Sequence, residues 1–312
     1  MSLRFATRTA LCLAIFALLG ARAAHADSSY LPYYMQSEPQ PHLFAQVPPA
    51  RYAGVQEPAA PATPVAAPEQ PEDWQSSNPL FHFNNEVWAS AGASLFNYKE
   101  AVKPLPDSEV GDLPSLAAGA SYMTHENLYL SLDGSVSFGN AHYNGAYLAS
   151  PSTPLESTTH ETIASVNGKV GQGFFLSGNT MLIPYVDIGY RYWDRNLGSG
   201  QGEFYQNYDT LGGLMFQYTP VDRLLLSVYG SVGTTFGASM KTSGNTYDLG
   251  GSAIEKVGGK IGYDLTRKVE LFTTLDYDHF HYGKSPVFAS VYEPGSRTED
   301  TTMRVGIGYH FR

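Results

Sequence analysis

Leu224-Leu225-Leu226-Ser227-Val228-Tyr229-Gly230-Ser231-Val232-Gly233-Thr234-Thr235-Phe236 repeats with a period of two. Leu224, Leu226, Val228, Gly230, Val232, Thr234 and Phe236 share one face, and Ser227, Tyr229, Ser231, Gly233 and Thr235 share the other. Successive side chains of a β-strand point to opposite faces, so this is a strand with one side suited to hydrocarbon and the other to a polar interior. The pattern recurs in Leu128, Leu130, Leu132, Gly134, Val136 and Phe138 against Ser131, Asp133, Ser135 and Ser137. It recurs again in Met303, Val305, Ile307, Tyr309 and Phe311 against Arg304, Gly306, Gly308 and His310.

Following this alternation outward predicts ten strands, at 86–98, 115–123, 127–139, 161–174, 181–193, 205–218, 223–236, 252–264, 269–281 and 301–311. The connections alternate in length. Short turns fall at 124–126, 177–179, 219–222 and 265–268, and longer polar loops at 99–114, 140–160, 194–204, 237–251 and 282–300. On the apolar face, Tyr122, Phe174, Tyr218, Tyr263 and Phe311 end the even strands, while Phe138, Tyr190, Tyr192, Phe236 and Tyr277 lie near the ends of odd ones. A soluble sheet has no reason to place aromatics at both strand ends in step with loop length, whereas a barrel anchored at two membrane interfaces does. The expected fold class is therefore all-β: a closed antiparallel transmembrane β-barrel of about ten strands, with eight or twelve also compatible. Pro184 interrupts the fifth strand, where its missing N–H predicts a bulge or a later start.

The rest of the chain is different material. Residues 1–26 have the form of a cleavable secretory signal: Arg4 and Arg8, an apolar run from Leu11 to Leu19, and Ala24-His25-Ala26. Residues 27–80 are rich in Pro and Ala without a period and read as a solvated periplasmic linker, leaving 81–312 as the barrel domain. The one cysteine, Cys12, lies inside the signal, so the mature chain is expected to hold neither disulfide nor thiolate metal site. With 31 Gly, 22 Tyr and 16 Phe but 15% charged residues, the composition suits strands. A formal net charge of -10 without a Lys/Arg cluster argues against a nucleic-acid partner.

The final strand, Met303, Val305, Ile307, Tyr309 and Phe311 on its apolar face, resembles the C-terminal strand of bacterial outer-membrane barrels, although Arg312 follows the aromatic here. The resemblance is to the small-barrel superfamily that includes OmpA-like and opacity-like surface proteins. It implies a place in the outer membrane, among its lipid and lipopolysaccharide, and recognition of this strand by the barrel-assembly machinery. Being architectural, it implies location more than activity.

No phosphate loop, zinc-ligand spacing or calcium loop appears, and no cofactor or metal is expected. The densest titratable run is Asp276-Tyr277-Asp278-His279-Phe280-His281. Ten-stranded omptin proteases carry Asp and His at the outer rim, so a surface hydrolase is one reading. The alternation turns Asp276 and Asp278 inward and His279 and His281 outward, which disfavours an acid–base pair. The inward register also collects Asp133, Lys169, Asp187, Arg191, Lys256, Lys260, Glu270 and Arg304, predicting a lumen filled by a charge network in which Lys256 faces Asp278 and Lys260 is diagonal to Asp276. The leading expectation is a surface protein displaying external loops for structural or interaction roles, with possible ligands met through the loops. A narrow solute channel is the alternative, beside the hydrolase.

Overall fold

The structure, a computed structural model, describes residues 78–100, 107–147, 150–197, 202–287 and 292–311. The signal sequence and nearly all of the Pro-rich segment lie outside these residues.

Among the described residues twelve strands form one antiparallel sheet: β1 (Glu86–Glu100), β2 (Ser108–Met123), β3 (Leu128–Tyr147), β4 (Ser150–Gln172), β5 (Phe174–Ser177), β6 (Thr180–Asn196), β7 (Gly202–Val221), β8 (Leu224–Thr242), β9 (Asn245–Asp248), β10 (Ala253–Asp264), β11 (Val269–Tyr282) and β12 (Ser296–His310). β1 pairs with both β2 and β12, and β10 with both β8 and β11, so the sheet closes. β5 continues β4 past a break, and β9 folds back on the end of β8. The wall is therefore a ten-stranded closed barrel with two additional short strands.

The two faces of the wall are inside out relative to a soluble protein. Leu132 is 61% exposed, Val232 65% and Ile307 59%, while Asp187, Glu270 and Asp209 inside are buried. A continuous exposed apolar belt of this kind needs hydrocarbon around it. Aromatics flank the belt. Tyr122 stacks on Phe311 at the short-turn end, and Tyr208 lies between Tyr190 and Phe236 toward the long-loop end.

Two local expectations are corrected. The strands run further than the alternation indicated, because Asn140–Tyr143 and Thr158–His160 stay hydrogen-bonded as a ladder and β8 extends to Thr242. Much of what reads as polar loop is paired strand standing beyond the apolar belt, where the outward face meets water instead of hydrocarbon while the inward face, with Tyr98, Glu109 and Tyr205, stays buried, so the apolar–polar alternation is lost. Pro184 produces neither a bulge nor a late start in its own strand, since it pairs in register with Leu214 of β7. The neighbouring strand breaks between Gln172 and Phe174, opposite the Pro184 stretch that offers no N–H, while Gly173 continues the ladder to the β3 side by donating to the Asn127 carbonyl at 2.8 Å. The short turn before β3 closes through Asn127, whose φ of 64° is tolerated because its small polar side chain fits the left-handed region.

A short helix enters the short-turn end. In α1 (Pro79–Phe83), the Asn78 side chain caps Leu80 N at 2.8 Å and Pro79 occupies a position whose N–H would go unused. Leu80, Phe81 and Phe83 are buried against Met123, Tyr129, Met181, Ile183, Tyr185, Met215 and Leu225. Pro79 and Leu80, which the composition groups with the linker, are thus part of the packed base of the barrel.

Candidate functional site: the filled lumen

The interior has three levels. The base is α1, fixed by reciprocal amide bonds between Asn84 and Gln217 at 2.7 and 3.1 Å, by Asn85 Nδ2 donating to the Phe81 carbonyl, and by Asn78 Nδ2 donating to the Gly178 carbonyl. The Asn85 bond, with Asn84 Nδ2 on the Leu80 carbonyl at 2.7 Å, serves helix carbonyls that a buried five-residue helix would otherwise leave unpaired, and the others tie the helix to β7 and to the 177–179 turn.

The middle level is polar. A cavity of about 240 Å³ is bounded by Asp133, Lys169, Asp187, Lys256, Lys260, Asp276 and Asp278, with Phe83 and Asn84 of the base segment at its floor. Lys169 Nζ lies 3.1 Å from Asp133 and stands directly across the β4–β6 ladder from Asp187. Lys260 Nζ reaches Glu86 at 2.6 Å and Glu270 at 2.8 Å. Arg304 reaches Asp276 at 3.4 Å and Ser115 Oγ at 3.1 Å, and Tyr229 Oη donates to Asp276 as well. Gly258 makes room for this arrangement, since a Cβ there would strike the Tyr229 ring.

All ten charged residues named from the sequence thus face the interior. The register also places Lys256 opposite Asp278, but the ammonium leans across the lumen to Asn167 Oδ1 at 3.2 Å and Asp209 at 3.6 Å. Lys260 turns away from Asp276 toward Glu86 and Glu270. Pairing across a closed interior follows distance through space, and adjacent-strand register captures only part of it.

The upper level is an aromatic and ionic layer. Arg191 reaches Asp300 at 3.4 Å and lies over the Phe280 ring at 4.7 Å. Above it Arg195, buried, is held by Glu109 at 2.8 Å, Glu203 at 2.7 Å and Glu100 at 3.1 Å. Trp193 is fully buried against Phe96, Tyr98 and Tyr205, and its Nε1 donates to Glu161. Tyr205 Oη donates to Glu293 at 2.7 Å, tying the segment before β12 to the layer. Burial, and then the neighbouring Glu100 and Glu203 charges, push the Glu293 carboxyl up to about 8.

The sequence reading missed Arg195, Glu203 and Glu109, which it assigned to loops, and it missed Glu86, Asp209, Asp300 and the whole of α1. Asn78-Pro79, a capping residue followed by proline, was the available signal for the helix. His279 and His281 lie against each other on the outer face, with His279 4.0 Å from Glu255, so the acids and imidazoles of that run stay on opposite sides of the wall.

No protein-family profile matches the chain, and no curated protein sequence does. Solved structures do. The outer membrane protease OmpT of Escherichia coli superposes with a TM-score of 0.51 at 10% identity, covering 73% of this chain and 97% of that one. The fold is that of an outer-membrane β-barrel. Neisserial surface protein A matches with a TM-score of 0.32 at 13% identity over 72% of this chain and 97% of its own. Ail of Yersinia pestis, solved with the heparin analogue sucrose octasulfate, matches at 0.30 and 10% over 73% and 99%. Such identities speak for the fold alone, and these proteins differ in their roles.

Proposed function

We propose that this is an exported outer-membrane surface protein whose barrel is a filled scaffold, presenting its long-loop end outside the cell for structural or interaction roles. The observation carrying this reading is the stacking of α1, the charged middle level and the Arg195–Trp193–Tyr205 layer within one barrel. Ten strands enclose little more room than side chains can fill, and wide aqueous channels belong to barrels with more strands. On this reading the strands that extend beyond the apolar belt are a rigid platform for an external ligand. The assembly machinery would read Met303, Val305, Ile307, Tyr309 and Phe311, and lipid and lipopolysaccharide would surround the belt. The signal sequence, the tether and the OmpA-like or opacity-like kinship belong to the same proposal.

Planar-bilayer recording of the refolded protein is the test. The expected result is no steady single-channel conductance. A large, steady conductance from the unaltered protein would overturn the filled-scaffold reading in favour of the narrow channel.

A further inference from the structure

At the base of the barrel two imidazoles converge on one carboxylate. His82 comes from α1, Asp264 from the end of β10 and His310 from the end of β12. His82 Nε2 lies 3.1 Å from one Asp264 oxygen and His310 Nε2 lies 3.1 Å from the other. The two rings are 3.9 Å apart between centroids, and one ligand atom from each of the three residues falls within 4.8 Å of the others. Nitrogen and oxygen donors bound to zinc at its usual bond lengths in tetrahedral geometry sit roughly 3.3 Å from each other, close to the spacing here.

A second observation concerns the far side of His310. The residue is buried, and its Nδ1 has no hydrogen-bond partner. A ring nitrogen of His310 and carboxylate oxygens of Glu86 and Glu270 also lie within 4.8 Å of one another, and Glu86 Oε2 and Glu270 Oε1 are buried without hydrogen-bond partners. If Nε2 merely donated to Asp264, a neutral ring would leave its Nδ1 lone pair buried with no donor. If Nε2 instead gives its lone pair to a cation, the ring proton sits on Nδ1, and Glu86 and Glu270 are the acids near the ring that could accept it. That is the carboxylate–histidine–metal arrangement by which a second shell fixes the tautomer.

We propose that His82, Asp264 and His310 form a site for a divalent transition metal ion of the zinc class, with Glu86 and Glu270 orienting His310 behind it. Two nitrogens and one carboxylate suit such an ion, and the remaining position is left for water. The ligands come from three elements far apart in sequence, so no local spacing announces them. Their common effect is to staple α1 to the ends of β10 and β12, locking the base of the barrel. His82, whose side chain keeps 22% of its exposure, gives the ion a route in.

The test uses the full chain refolded in detergent and stripped with EDTA, with Co²⁺ as a spectroscopic probe and Zn²⁺ as competitor. The expected result is a visible ligand-field spectrum for bound Co²⁺, displaced by Zn²⁺, together with a Zn²⁺-dependent rise in Tm. Both are lost in His82→Ala and kept in the double variant His279→Ala, His281→Ala, whose imidazoles are on the outer face. Glu86→Gln weakens binding about 10- to 100-fold through the second shell. Absence of a Co²⁺ spectrum in the unaltered protein overturns the proposal whether or not any variant folds. So does a spectrum that survives His82→Ala but disappears in the His279, His281 double variant.

Discussion

Glu293 is the residue whose setting most directly dictates a pH response. It lies in the segment before β12, buried under Tyr205 and close to Glu100 and Glu203, and its carboxyl is raised to about 8 from 4.5. In the unfolded chain it releases its proton near 4.5 while the folded protein still holds it, so between those values the native state binds more protons. Its contribution to stability is therefore present at acid pH and lost progressively as pH rises toward 8. Glu293→Gln keeps the shape without the charge and is expected to raise Tm at pH 8 with little change at pH 4. Thermal melts across that range check it, and an equal shift at both ends would contradict the assignment. Lys260 is the second such residue, since it alone bridges Glu86 and Glu270 among the ion pairs of the described residues. Lys260→Met should cost about 3 to 5 kcal/mol, the penalty of orphaning buried carboxylates. Adding Glu270→Gln should recover part of the loss. Lys256→Met should cost less, because its nearest carboxylate is 3.6 Å away. Denaturant unfolding of the three variants ranks them.

At the scale of elements, α1 and β12 carry the most consequence. β12 holds two seams at once, pairing with β11 through Val269↔Tyr309 and with β1 through Glu86↔His310. Its outward Tyr309 and Phe311 are 46% and 45% exposed at the short-turn end, where they can anchor in the membrane interface and be read during assembly. The double variant Tyr309→Ala, Phe311→Ala is expected to reduce the yield of folded barrel far more than deletion of Arg312. Heat-modifiable mobility on a gel measures both, and the reverse ranking would remove this role from the strand. The alternation that defines β12 is plain in the sequence because one of its faces meets hydrocarbon and the other a polar lumen. α1 was not legible in that way: five residues are too few to display a helical period, and all its large apolar side chains, Leu80, Phe81 and Phe83, are buried within a mouth formed by strands distant in sequence. Five residues cannot hold a helix in water by themselves, so the packing and the Asn84–Gln217 amide pair are what stabilise it.

For the whole molecule, the asymmetry between the ends gives a topological prediction. The 177–179 and 222–223 turns are tight, and the first accepts a bond from Asn78 at the base. At the opposite end the chain leaves the wall at 243–244 and 249–252, with Ser243, Gly244 and Gly250 at positive φ. Protease applied to intact cells should cut near 243–252 and spare 177–179 and 222–223. Cuts confined to the two short turns would invert the molecule in the membrane.

What the sequence determined by itself was the wall: the strand order, the closed antiparallel barrel of about ten strands, and which side of most strands is wet, while the structure fixed the number at ten. From Leu226 to Phe236 the residues largely report their face locally, because hydrocarbon and lumen impose opposite polarity on neighbouring positions, whereas Leu225, apolar and inward, belongs to the packed base. Only the tertiary structure decided how the inside is filled. Arg195 gathers Glu100, Glu109 and Glu203 from β1, β2 and β7, and His82 meets Asp264 and His310 from the far end of the chain. Such contacts are set by curvature, by reach across the lumen and by the extension of strands past the apolar belt. None of these leaves a period in the sequence, because the partners are distant along the chain and each is, locally, one more polar residue on an inward face.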